Sequence, residues 1–121
     1  MRRPNIIRDK SFAFALRIVK LFQYLQTEKK EYVLSKQLLR SGTAVGALVR
    51  EAEHAESKAD FIHKLAIAQK EANESAYWLE LLHQSNYMDE SQFTSIASDL
   101  EEISKLLASI IITSKNNKNG K

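Results

Sequence analysis

Apolar and small residues recur at alternating steps of four and three positions through the middle of the chain. This spacing keeps side chains on one face of an α-helix and is typical of helices packed side by side. The two stripes are Leu34, Leu38, Ser41, Val45, Leu48, Ala52 and Ala55, then Phe61, Leu65, Ala68, Ala72, Ser75, Leu79 and Leu82. They meet at Glu56-Ser57-Lys58, so the pattern predicts two antiparallel helices over about residues 32–55 and 58–85.

Capping signals mark the starts of the later helices. Ser57 with Asp60 fits a capping box. A fourth helix is capped by Asp89, which has Gln92 three residues later, or by Glu90-Ser91. That fourth helix ends near Thr113. Its apolar stripe comprises Phe93, Ile96, Leu100, Ile103, Leu107 and Ile110.

The first predicted helix runs from Asp9 or Lys10 to Gln26 and has two apolar stripes rather than one. They are Phe12, Ala15, Val19 and Phe22, and Phe14, Ile18, Leu21 and Leu25. Two stripes make a wide apolar face. We expect this helix to contact more than one neighbour, including one from another subunit.

Two glycines interrupt the second predicted helix. Each Gly costs a helix interior about 1 kcal/mol relative to Ala, yet Gly42 and Gly46 are four apart and share a face. Small residues at this spacing let a second backbone approach closely. We predict a continuous helix; the alternative is a kink or break at Ser41-Gly42-Thr43.

Length and composition fit a single all-α domain, because 121 residues with one Pro and three Gly leave little turn chemistry for a β protein. We predict an up-down-up-down antiparallel four-helix bundle over residues 10–114. A basic lead at 1–9 precedes it, and a disordered polar tail at 115–121 follows. With no cysteine, no membrane-spanning apolar run and no signal-peptide h-region, the expected location is the cytoplasm.

Charge is distributed unevenly, although the formal net charge is only +3. Residues 1–50 hold eleven Lys or Arg against three acids, a balance of +8, whereas residues 51–102 have −9 and residues 103–121 have +4. A basic segment can bind phosphate and an acidic one a basic partner. Alternatively, the two segments complement each other within an oligomer.

The candidate nucleic-acid-binding residues are Arg2, Arg3, Arg8, Lys10, Arg17, Lys20, Arg40 and Arg50. Several phosphate contacts of this kind give sequence-independent, salt-dependent affinity. Arg40 and Arg50 are ten residues apart, which we take to place them on roughly the same side of helix two. In the alternative interpretation these two arginines pair across an interface with Glu51, Glu53 or Glu56.

The sequence offers no clear catalytic site. Two Glu-x-x-His pairs, Glu51 with His54 and Glu80 with His83, have the spacing of di-iron bundles. In antiparallel helices they lie about 25 Å apart, so we expect solvated histidines and no metal site within one subunit. No nucleophile motif or phosphate-binding glycine loop is present. We predict no enzyme activity, cofactor or small-molecule substrate; a metal-dependent oxidase built across subunits is a third alternative.

Five motifs of the middle helices carry a family resemblance. They are Leu38-Leu39-Arg40-Ser41-Gly42-Thr43-Ala44-Val45-Gly46-Ala47, Glu51-Ala52, Ser57-Lys58-Ala59-Asp60-Phe61, Leu65-Ala66-Ile67-Ala68-Gln69-Lys70-Glu71-Ala72-Asn73-Glu74 and Tyr77-Trp78-Leu79-Glu80-Leu81-Leu82. With them, the chain resembles the four-helix-bundle protein family, also called the 23S rRNA-intervening-sequence protein family, over about residues 5–112.

The resemblance implies short up-down bundles that assemble into a ring, commonly of five subunits. Some members are encoded within insertions of large-subunit rRNA genes, and relatives serve diversity-generating retroelements, where a basic barrel contacts nucleic acid and a reverse transcriptase. No catalytic residue is established for the family, and Arg40 and Arg50 match its pattern. We therefore hypothesise a non-catalytic homo-oligomer, expected to be a pentamer, that binds RNA or a ribonucleoprotein through helices one and two. The alternative is a protein–protein adaptor that uses the acidic middle segment.

Overall fold

The computed structural model describes residues 5–117 and contains four α-helices in that range. Helix α1 spans Ile6–Thr27, α2 Leu34–Ala52, α3 Lys58–Gln84 and α4 Glu90–Asn116. No residue from 5 to 117 is in a β-strand. The predicted all-α class is confirmed: the four helices form a bundle around one apolar core.

Helix α1 begins earlier than predicted. The side-chain oxygen of Asn5 accepts a hydrogen bond from the backbone N–H of Arg8 at 3.1 Å, and Asn is among the preferred N-cap residues. The helix therefore starts at Ile6 instead of Asp9 or Lys10, and residues 6–9 of the predicted lead are helical.

Helix α4 also extends further than predicted, to Asn116 rather than about Thr113. Residues 115 and 116 of the predicted polar tail are therefore helical. Asn5 and Asn117 are the N-cap of α1 and the C-cap of α4. Residues 1–4 of the predicted lead and 118–121 of the predicted tail lie outside the described residues. None of the helices within residues 5–117 is both long and apolar enough to cross a membrane.

Helix α2 starts at Leu34 under a cap that the sequence pattern did not reveal. Its N-cap residue Val33 makes no side-chain capping bond. The buried Glu31 carboxylate caps the helix instead, accepting hydrogen bonds at 2.7–3.1 Å from the backbone N–H groups of Val33, Leu34 and Ser35. Burial by itself would raise the pKa of Glu31, but these hydrogen bonds favour the ionised form and hold the pKa below its ordinary value.

Helix α2 is continuous through Ser41-Gly42-Thr43, as predicted. It ends at Ala52 rather than Ala55, so residues 53–57 connect it to α3. At the start of α3, the predicted cap Ser57 accepts a hydrogen bond from the N–H of Asp60 at 3.0 Å. The second bond of that capping box is displaced by one residue, because the Asp60 carboxylate accepts from the N–H of Glu56.

The capping box predicted for α4 is present in full. Asp89 accepts a hydrogen bond from the backbone N–H of Gln92 at 2.7 Å, and the Gln92 side chain accepts one from the N–H of Asp89 at 2.9 Å. Two backbone donors at the helix start are thus satisfied reciprocally. A local sequence signal was sufficient to place the start of α4.

The two glycines of α2 lie against α1. A Cβ added at Gly42 would lie 2.8 Å from Cγ1 of the buried Ile18, and one added at Gly46 would lie 3.3 Å from the backbone oxygen of Ser11. The two helices therefore approach closely at this face, which is the role predicted for the glycine spacing.

The stripes identified in the sequence form the seam between α2 and α3. Most of their members are buried, while Leu34, Leu48, Ala55 and Phe61 are half-buried. At the centre of the seam the hydroxyl oxygens of Ser41 and Ser75 lie 2.9 Å apart, and both side chains are fully buried. Small residues permit this close contact between the two helices.

Helix α1 buries only part of its wide apolar face. Phe14, Ile18 and Leu25 are in the core. On the opposite side, Phe12 is 51 % exposed, Leu16 51 % and Val19 36 %. These three residues, here called the α1 ridge, leave apolar surface uncovered in the single chain.

Helices α1 and α4 complete the bundle through charged contacts. Lys10 lies 3.1 Å from Glu102, and Arg17 lies 2.7 Å from Asp99. Cavities of about 140 and 260 Å³ open along this contact. The α1–α4 contact therefore combines apolar core residues with exposed ion pairs, whereas the centre of the α2–α3 seam is formed by small, fully buried residues.

Candidate nucleic-acid interface

The structure divides the predicted phosphate-binding residues into separate groups. Arg2 and Arg3 lie outside the described residues. Among the others, ion pairs engage Arg8, Lys10, Arg17 and Arg40. Lys20 and Arg50 make no ion pair within residues 5–117. The predicted set is therefore not one uniform basic surface.

The paired cations of α1 face acids of the segment from residue 51 to residue 102. Besides the contacts of Lys10 and Arg17 with α4, the Arg8 guanidinium lies 3.2 Å from the Glu53 carboxylate, which also accepts a hydrogen bond from Asn5. The basic first segment and the acidic middle segment thus complement each other within one chain. Their charges are partly neutralised before any external partner arrives.

Arg40 contacts α3 through two carboxylates. Its guanidinium lies 2.5 Å from Glu74 and 3.2 Å from Glu71. The hydrogen bond from Arg40, followed by one from the Trp78 indole, lowers the pKa of Glu74, and the same contact with Glu74 raises the pKa of Arg40. Both groups therefore remain charged over the whole physiological range.

Arg50 faces α1 instead, with its guanidinium carbon 5.2 Å from the centroid of the Phe12 ring. This is within the range of a cation–π contact. The prediction that Arg40 and Arg50 project from the same side is wrong, since one contacts α3 and the other α1. Ten residues at 3.6 per turn leave side chains roughly 80° apart, enough to direct them to different neighbours.

Sequence reasoning missed three lysines where α1 ends and α2 begins. Lys29 and Lys30 lie in the connection and Lys36 in the first turns of α2. We call them the loop lysines. All three are exposed, and none makes an ion pair within the described part of the chain. The signal in the sequence is the adjacent Lys29-Lys30 pair within the predicted connection.

An aromatic ring accompanies the loop lysines. Tyr32 is 51 % exposed, and the next residue, Val33, is 70 % exposed. Glu31, which lies between Lys30 and Tyr32 in the sequence, is buried. Lys30 has a positive φ of 57°, and this left-handed conformation turns the chain at that point. Cations beside an exposed aromatic suit single-stranded nucleic acid, because phosphates meet the ammonium groups and a base can stack on the ring.

Within residues 5–117, no three His, Cys, Asp or Glu side chains are grouped so that they could hold a metal ion. The two Glu-x-x-His pairs have other contacts. Glu51 pairs with Lys64 near the start of α3, whereas His83 Nε2 lies 3.0 Å from Glu90 near its end. His83 is not the solvated residue we expected: it stacks on Phe93 with centroids 4.3 Å apart, because the first turns of α4 cover it.

These features define a four-helix bundle with a cationic, aromatic-bearing connection at one end. The chain belongs to the 23S rRNA-intervening sequence protein family, whose model matches residues 3–109. This confirms the resemblance found in the sequence motifs. A solved structure of a protein of unknown function from the S23 ribosomal protein family of Bacteroides thetaiotaomicron VPI-5482 is 59 % identical. It covers 87 % of this chain and 97 % of its own, with a TM-score of 0.86. No curated protein matches the chain.

Proposed function

We propose that this protein is a non-catalytic homo-oligomer of up-down-up-down four-helix bundles that binds RNA or a ribonucleoprotein. The observation that carries the proposal is the group of loop lysines, which lack ion pairs in the described part of the chain and lie beside the exposed Tyr32. Membership of the 23S rRNA-intervening sequence protein family supports an RNA ligand over other polyanions.

The unpaired cations are the stronger phosphate ligands. A cation that already contacts a carboxylate must give up that contact to bind phosphate. The loop lysines, Lys20 and Arg50 have no such contact to give up in the described part of the chain. Phosphate binding by several such cations releases counterions and is therefore salt-dependent. We place the main interface at the loop lysines, with Arg2 and Arg3 as further contributors; Lys20 and Arg50 lie beside the exposed apolar residues of α1 instead.

The order of helix contacts supports the up-down-up-down arrangement. Along α1 and α2, Ser11 lies beside Gly46 whereas Ile18 lies beside Gly42, an order that is expected for two antiparallel helices. The exposed α1 ridge supports assembly, since it leaves apolar surface for another copy. In a ring of five subunits the loop lysines would be repeated five times, and such multivalency raises avidity.

Fluorescence anisotropy with labelled single-stranded fragments of large-subunit rRNA tests the proposal. We expect binding that weakens steeply between about 50 and 200 mM salt. Replacing Lys29, Lys30 and Lys36 together by Gln should lower the salt slope by about two, at roughly 0.7 per lost contact with a single strand. Tyr32→Ala should weaken binding about tenfold through the lost stacking.

The matched control removes the same number of charges elsewhere, by replacing Lys70, Lys105 and Lys115, which are exposed on α3 and α4. It should leave the salt slope nearly unchanged. Absence of binding at low salt would remove the RNA proposal. An equal effect of the two triple variants would show that binding depends on overall charge and not on the loop lysines.

The adaptor alternative has less support from the structure. Most acids of residues 51–102 already contact cations of the same chain, and Asp60 and Asp89 cap helices. A basic partner protein would have to compete with those contacts. A specific protein captured by the purified chain after nuclease treatment would favour the adaptor.

A further inference from the structure

We propose that the α1 ridge of one copy docks into an apolar groove between α3 and α4 of a second copy. The inference rests on the homo-oligomer proposed above and adds which two surfaces meet. It follows from the shape, apolar character and charge of these two surfaces in the single chain.

The groove between α3 and α4 encloses about 320 Å³. Its walls are apolar or small, formed by Ala76, Leu79, Phe93, Ala97, Leu100 and Ser104. Glu80 on α3 and Glu101 on α4 complete the lining. Glu80 makes no ion pair within residues 5–117, and Glu101 has only a 3.8 Å contact with Lys105 on its own helix. The groove is thus apolar with two exposed, available carboxylates.

The residues of the α1 ridge have the spacing of the anchor residues of a helix that binds in a groove. Phe12, Leu16 and Val19 are positions i, i+4 and i+7, the anchor pattern of helix-in-groove recognition. The guanidinium of Arg50 lies over Phe12 at one end, and Lys20 follows Val19 at the other. Apolar anchors between two cations therefore complement an apolar groove with two carboxylates.

Pairing of two α1 ridges with each other is disfavoured by the same charges. A symmetric dimer with antiparallel ridges would place Arg50 of one copy near Lys20 of the other, and a parallel one would bring identical cations together. Like charges across an interface oppose association. The acidic groove is the better counterpart.

Because the ridge and the groove are different surfaces, a single contact leaves a free groove on one copy and a free ridge on the other. Such a heterologous interface repeats from copy to copy and yields a closed ring if the rotation closes. It also means that damage to one surface leaves the other able to bind. This property makes the inference testable with two complementary variants.

The first variant is Leu16→Glu, which places a carboxylate on the ridge. The second is Ala76→Glu, which adds a third carboxylate to the groove, beside Glu80 and Glu101, and obstructs it. Both positions are exposed, so the helices should form, as circular dichroism would verify. Ala59→Glu is the matched control: it is the same substitution on the same helix, exposed, and about 25 Å away along α3. Sedimentation velocity measures the mass of each protein.

We expect the wild type and Ala59→Glu to be oligomers and the two variants to be monomers of 13.8 kDa. An equimolar mixture of Leu16→Glu and Ala76→Glu should form a one-to-one dimer through the single intact ridge and the single intact groove. In addition, Glu80→Lys should raise the dissociation constant of the wild-type contact about tenfold.

Three results would overturn the inference. If Ala76→Glu assembles like the wild type while Leu16→Glu does not, the ridge binds another surface. If the mixture of variants stays monomeric, ridge and groove are not partners. In both cases the proposed homo-oligomer survives. A wild type that is monomeric at every concentration would instead remove the homo-oligomer itself, and with it this inference.

Discussion

The two sides of the bundle are held together by different physics. On the side of α2, helices meet through glycine, alanine and serine, with Gly42 against Ile18 and a buried hydroxyl contact between Ser41 and Ser75. Where α1 meets α4, half-exposed ion pairs cross the contact and cavities open beside them. The α2 side is sterically specific, whereas the α1–α4 side adds to its apolar core residues a set of ion pairs that water and salt can screen.

This difference predicts where the fold tolerates change. Close backbone packing leaves no room for added atoms, and a buried polar pair costs free energy when one partner is lost. Surface ion pairs contribute little each, with a median of about 0–1 kcal/mol. The α2 side should therefore dominate stability, and the α1–α4 side should be the more easily altered part of the bundle.

The largest effect is expected for Gly42→Leu. Even a Cβ would lie 2.8 Å from the buried Ile18, and the remaining atoms would force the two helices apart, so we expect a loss of about 3 kcal/mol. Urea denaturation measures it. The control is Ala13→Leu, which lines the smaller α1–α4 cavity and should change stability by less than about 0.5 kcal/mol. Equal losses would contradict the contrast between the two sides.

The next effect concerns the start of α2. Glu31→Gln keeps the shape but removes the charge that three N–H groups share, and should cost about 2 kcal/mol at neutral pH. Because the pKa of Glu31 is lowered from 4.5, its contribution is complete above that value and lost as pH falls through the lower folded pKa. Denaturation at a series of pH values should show a constant gap between wild type and variant down to about 4.5 that closes below. A gap that widens in acid would contradict this.

A smaller effect is expected at the buried hydroxyl pair. Ser41→Ala or Ser75→Ala removes the contact across the seam but leaves the other hydroxyl with a backbone carbonyl of its own helix, that of Glu71 for Ser75 at 2.9 Å and that of Leu38 for Ser41 at 3.5 Å. Each should therefore cost about 1 kcal/mol. The double variant should cost clearly less than the sum, because the contact between the two hydroxyls is already lost in each single variant. Additive losses in a double-mutant cycle would mean that the 2.9 Å contact contributes no coupling.

The features that could be predicted from the sequence are local ones. Stripe periodicity placed α2, α3 and α4 to within a few residues, because burial on a helix repeats with the helical period. The capping pair Asp89 and Gln92 is likewise read from four consecutive positions. The sequence pattern does not predict the capping role of Glu31, because this residue precedes Leu34 by three positions and has no reciprocal capping partner.

The candidate interface was only partly predictable, because charge counts do not show which cations are paired. Arg17 and Asp99 are 82 residues apart, so only the fold brings them together. The loop lysines show the converse case. The sequence predicts only a connection at Lys29 and Lys30, and the structure adds that the three lysines make no ion pair in the described part of the chain.

The smallest effect is expected at the α1–α4 contact. The salt dependence of its coupling energy distinguishes this contact from the α2 side. A double-mutant cycle with Arg17→Met and Asp99→Asn should give a coupling of at most about 1 kcal/mol at low salt, since both side chains are more than 40 % exposed. At about 0.5 M NaCl the coupling should approach zero because the Debye length is then only a few ångström. The Ser41–Ser75 coupling should not change with salt, as neither hydroxyl is charged. If the Arg17–Asp99 coupling exceeded that of the serine pair and persisted at high salt, the α1–α4 contact would be the more strongly coupled side, and the contrast drawn here would be reversed.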